Sequence, residues 1–252
     1  LALTAWTLLA LLGGKDDANN PVPYVVYVWL WVGLALLSMV FGPIWRVLNP
    51  IRWLHRGILA ASRVSADVSL TRYRAGYWPA ALGLFAFTWL ELIAPDNDTL
   101  PVLRVAILGF ILISLVLALV FGRDYLDTGD PFEAWSGLFG TLSPLGRRED
   151  RRWVLRTPLH GPNQLASRPG LLATASVMLG GTAYDGFSGE TWWYTFVQSS
   201  AAPARLWETA ALLTICLVVA GSLYAAAALS ASLAHVPLRG VATRFAPSLL
   251  PI

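Results

Sequence analysis

The densest run of ionisable side chains is GRDYLDTGDPFEAW, which sets Asp124, Asp127, Asp130 and Glu133 beside Arg123. A spacing of three residues would bring Asp124, Asp127 and Asp130 to one helical face. Carboxylates so grouped could hold a hard cation through their oxygens. Gly129 and Pro131 oppose a continuous helix, however, and the ligand pattern of an EF-hand loop is absent. The segment therefore predicts a solvated turn, with Asp130 as N-cap of a short helix that begins at Pro131. Asp185, in GGTAYDGFSG, falls where a glycine-bearing helix is expected to break. There it could line a cavity or cap a chain turning into water.

Ionisable groups inside apolar stretches are expensive and point to function by default. Two qualify, Glu91 in FTWLELIAPD and Arg104 in PVLRVAIL. Both fall near the same end of adjacent apolar segments and could pair across the short hairpin between them, as a helix staple or as a proton carrier. His55, His160 and His235 all lie in polar loops, so haem ligation by paired histidines inside the bilayer has no support. HExxH, CxxC, GxSxG and phosphate-loop patterns are absent. The single cysteine, Cys216, reads as a small apolar helix residue. Neither a metal site nor a cofactor is expected.

The elements that would carry these groups are apolar. Hydrophobic residues make up 56% of the 252 and charged residues 13%; mean hydropathy is +0.58. Soluble chains carry about 25% charged residues, and a bilayer core needs roughly 20 consecutive apolar residues per helix. Val25 to Phe41 runs uncharged as VVYVWLWVGLALLSMVF. The expected fold is an all-α, polytopic transmembrane helix bundle of about five full spans. These lie near 24–41, 76–93, 101–122, 169–184 and 206–229, with partial helices at both ends and an interfacial or re-entrant segment around 123–146. Residues 1–252 read as one transmembrane helical domain cut from a longer chain, a sixth span opening near Pro247.

Charge orients the threading. Loops at 46–75 and 123–168 hold six and seven arginines, whereas the alternate loops hold more acids than bases. By the positive-inside rule the arginine-rich loops face the cytoplasm. The arginines border apolar segments, so anionic headgroups explain the net charge of +3 better than nucleic acid does. The partners expected are the lipid bilayer and other membrane-protein subunits, in a bacterial plasma (inner) membrane, with no nucleic acid. The small-residue run AGSLYAAAALSASLA suits close helix contact, within the chain or with another protein.

A weak repeat is present. LLSMVFGPIWRVLNPIRWL resembles VLALVFGRDYLDTGDPFEAW, with Phe41-Gly42 aligned on Phe121-Gly122. YWPAALGLF and SRPGLLATA then each enter the next span through a proline, Pro79 and Pro169, and RFAPSLLPI could open a third copy. Parallel helix-pair repeats build some transporters, while proline at helix entry and glycine at exit are also general punctuation.

VYVWLWVGLALLSMVFGPIWRVLNPIRWL, YWPAALGLFAFTWLELIAPD, DPFEAWSGLFGTLSPLG and GGTAYDGFSGETWW, in this order, resemble bacterial integral membrane proteins labelled fenitrothion hydrolase-like. The resemblance spans about 21–252. It implies a multi-pass protein of the bacterial inner membrane and, from the label, hydrolysis of an organophosphate triester. Metal-assisted hydrolysis would need clustered histidine and carboxylate ligands, and the sequence shows no such set. Three functions remain open: an accessory subunit of a membrane complex, a transporter with its site at a broken fourth helix, and a membrane-embedded hydrolase using the 124–133 acids or Asp185.

Overall fold

The computed structural model describes residues 2–63, 65, 69–147, 153–155 and 168–233. The expected third repeat copy at Pro247, together with His160 and His235, lies outside the described residues. The described chain is helical apart from one antiparallel ribbon, β1 (Leu145–Arg147) with β2 (Trp153–Leu155). Three helices are long and apolar enough to cross a membrane: α2 (Tyr24–Phe41), α6 (Leu100–Phe121) and α11 (Ala204–Leu233). The sequence expectation of about five is met by three. α5 (Trp78–Leu92) is apolar but has 15 residues, roughly 22 Å at 1.5 Å per residue. α9 (Leu171–Ser188) has 18 but carries Thr, Ser, Gly and Asp along its length.

The chain divides into two compact units, residues 1–74 with 96–161, and 75–95 with 162–252. In the first, α1 (Ala2–Gly13) packs on α6. Asp16 Oδ1 accepts from Leu100 N at 2.9 Å, and Arg104 Nε donates to Leu11 O at 2.6 Å. One bond satisfies a first-turn N–H of α6, the other a last-turn carbonyl of α1. α2 begins with a wide π-wound stretch, Tyr24–Gly33.

The span 46–75, expected as a loop, instead contains α3 (Trp45–Leu48) and α4 (Pro50–Ala61). Asn49 and Pro50 start α4 as N-cap and first helical residue, and Ile51, Arg52 and His55 turn to the interior. The 123–146 segment folds as α7 (Arg123–Thr128) and α8 (Pro131–Gly140) before reaching β1. α8 is buried almost all round and lies against α2. The Trp31 and Trp135 rings stack at 3.7 Å between centroids.

In the second unit α9 lies between α5 and α11, and α10 (Thr191–Ser199) follows it. α5 and α9 start side by side: Tyr77 N donates to Pro169 O at 2.7 Å and Thr174 Oγ1 to Tyr77 O at 3.3 Å. The expected break in the fourth helix is absent. α9 runs unbroken through Gly180 and Gly181 to Ser188. The two glycines serve contact instead: a Cβ on Gly180 would stand 2.8 Å from Cys216 Cα, and one on Gly181 3.0 Å from Thr88 Cγ2.

Candidate functional site

Two membrane-length helices, α2 and α6, end in the same way. Gly42 (φ 83°) and Gly122 (φ 67°) take backbone angles that L side chains resist. Each is followed by a short helix, α3 or α7, and then by an Asx-Pro pair. Asn49 caps α4, its side chain accepting from Ile51 N and Arg52 N. Asp130 caps α8, accepting from Phe132 N at 2.9 Å and Glu133 N at 3.0 Å. The N-cap reading of Asp130 is thus what the structure shows. The solvated turn around it is not, because Asp130 and Asn49 are both fully buried.

The two caps bond to each other, Asn49 Nδ2 donating to Asp130 Oδ2 at 2.9 Å. Charges then pair in register on either side. Three residues after the caps, Arg52 Nη2 stands 3.5 Å from Glu133 Oε2. Three residues before them, Arg46 Nη2 stands 3.9 Å from Asp127 Oδ1. Shorter contacts run crosswise: Arg46 Nε donates to Glu133 Oε1 at 2.9 Å and Arg52 Nη2 to Asp127 Oδ1 at 2.7 Å. Arg52 Nη2 also reaches Leu126 O at 2.7 Å. Ser38 and Ser136 share a 2.8 Å hydrogen bond beside this clamp, and Trp45 N donates to Ser136 Oγ.

The clamp sets two cations against three carboxylates: Arg52, Asp130 and Glu133 are buried, whereas Arg46 and Asp127 reach the surface. Burial pushes the Glu133 carboxyl up to about 7, although Arg52 and Arg46 pull it down. Burial also raises the Asp130 carboxyl, against hydrogen bonds from Glu133 N, Asn49 and Phe132 N. The two buried carboxyls, Asp130 and Glu133, therefore both resist carrying negative charge. Trp45 Nε1, Arg52 Nε and Glu133 Oε2 are buried without a hydrogen-bond partner. His55, next along α4, is held below its ordinary value by burial and bonds the Ala118 backbone.

The remaining sequence candidates stand elsewhere. Asp124 is exposed on α7, and Asp185 is exposed in the last turn of α9. Glu91 is half-buried in the last turn of α5 and belongs to the second unit, whereas Arg104 belongs to the first and bonds Leu11. Among the described residues, no group of three or more His, Cys, Asp or Glu is placed to hold a metal. Sequence reasoning passed over Arg46, Asn49 and Arg52 as site residues. Their signal was in the repeat: opposite charges three residues before and three after the two Asx-Pro pairs.

Fold and site together define a helical protein of membrane type with a partly buried, charge-paired junction between two repeated helix ends. No family model, no curated protein and no solved structure matches the chain.

Proposed function

We propose that this chain is a non-catalytic, multi-pass subunit of a bacterial inner-membrane complex, threaded five times with its arginine-rich segments on the cytoplasmic side. The observation that carries the reading is the clamp. Three of the four clustered acids, Asp127, Asp130 and Glu133, are engaged with Arg46, Arg52 and Asn49, which is what a structural lock requires. Five crossings draw support from the helix ends: α2 and α6 finish at the clamp, and α5 and α9 begin together. The alternation of arginine-rich and arginine-poor loops has the same period.

The test is extraction of the full chain from its native membrane in mild detergent, followed by native mass spectrometry. A companion chain at fixed stoichiometry is expected. Turnover of an organophosphate triester by the isolated chain, lost in Asp127→Asn, would instead establish the hydrolase that the family resemblance implies. A transporter is the second reading, favoured by the parallel duplication of a helix pair; its signature is solute flux into vesicles holding this chain alone.

A further inference from the structure

We propose that α4 lies in the headgroup layer of the leaflet where α6 ends, and that its exposed arginines bind the phosphate of an anionic phospholipid. The inference rests on bilayer embedding and not on the accessory role.

Three faces of α4 carry the argument. Ile51, Arg52 and His55 are buried, and the His55 ring bonds the backbone of Ala118 in the last turn of α6. Leu70 N and Thr71 N also donate to Val120 O, so the chain returning from α4 wraps that same helix end. α4 is therefore tied to the depth at which a membrane-length helix stops. The second face exposes Leu54 at 47% and Ile58 at 38%, side chains that acyl chains would cover. The third exposes Trp53, with the Arg56 guanidinium 6.0 Å from its ring centroid. An amphipathic helix with a tryptophan and basic residues at its edge is the form that lies in an interface rather than crossing it.

Charge selects the lipid. Arg56 and Arg63 on this helix end, and Arg72 and Arg74 on the returning segment, are exposed and make no ion pair among the described residues. Asp67 is the single acid in the sequence between residues 46 and 74. Four basic side chains beside a membrane helix attract anionic headgroups, with a gain of about fivefold in binding per residue.

The full chain is reconstituted in nanodiscs of phosphatidylcholine holding a minor fraction of phosphatidylglycerol, and lipids retained after release are read by native mass spectrometry. Enrichment of phosphatidylglycerol is expected. The Arg56→Gln/Arg63→Gln variant, outside the clamp, should reduce that enrichment by roughly 25-fold with an unchanged unfolding midpoint. Trp53→Phe should remove part of the fluorescence quenching by brominated lipid. Equal retention of the two lipids, full enrichment in the double variant, or displacement by millimolar inorganic phosphate would each overturn the proposal. So would loss of a bound acidic protein, but not of lipid, in the double variant. Failure of the chain to enter the nanodisc at all would strike the bilayer reading instead.

Discussion

Asn49 and Asp130 close the first turns of two helices and are joined side chain to side chain at 2.9 Å, both fully buried. One hydrogen-bonded chain runs from the N–H groups of α4 through Asn49 Oδ1 and Nδ2 to Asp130, and on to the N–H groups of α8. Asn and Asp cap helices about equally well, so their order across the pair should matter less than their complementarity. Asn49→Asp alone opposes two buried carboxylates and should cost about 3 kcal/mol or more. The exchange Asn49→Asp/Asp130→Asn should recover most of that loss. Reversible unfolding in mixed micelles measures both, and equal damage from the single and double changes would deny that the caps act as a pair.

Arg52 touches Asp127, Glu133 and the Leu126 carbonyl while itself buried. Arg52→Ala should destabilise the first unit by about 3 kcal/mol, because it takes a cation from the buried Glu133 carboxylate and leaves the Leu126 carbonyl without its donor. Replacing both partners, Arg52→Met with Glu133→Leu, should cost much less. The comparison separates the value of the ion pair from the penalty of breaking it.

Burial pushes the Glu133 carboxyl up to about 7 from an ordinary 4.5. Between those two values the folded state holds a proton that the unfolded chain has lost, so stability declines as pH rises from about 4.5 to 7. Burial shifts Asp130 in the same direction and lowers His55, whose contribution to the pH dependence has the opposite sign. Comparison with Glu133→Gln isolates the single group. The wild type should lose stability relative to the variant across this window, and parallel pH profiles would refute the buried, protonatable state.

Gly180 faces α11 with no room for a methyl group: an added Cβ would meet Cys216 Cα and Sγ, both at 2.8 Å. Gly180→Ala should force α9 from α11 and cost about 1–3 kcal/mol. Gly186, on the same helix, has open space where a Cβ would go. Gly186→Ala should be neutral or stabilise by up to about 1 kcal/mol. Thermal unfolding in detergent distinguishes the two positions.

The contrast between these two glycines shows where reading along the chain reached its limit. Gly180-Gly181 suggested a broken helix, because local propensity counts glycine as weak in helices; packing against Cys216 and Thr88 reversed that meaning. The 46–75 stretch suggested a loop because its arginines are many, yet Asn49-Pro50 already spelled a helix start. Asp130 was legible as an N-cap from two adjacent residues, whereas its burial was not.

Apolar length, the ends of α2 and α6 at Phe-Gly, and the proline entries were determined by the sequence alone, because each depends on bonding within a few residues and on the transfer of side chains from water. The clamp was decided only by the tertiary structure. Arg46 and Arg52 stand some 80 residues from Asp127 and Glu133 in the chain, and only the packing of the short helices after α2 and α6 brings those charges within reach of one another and takes Arg52 and Glu133 out of water.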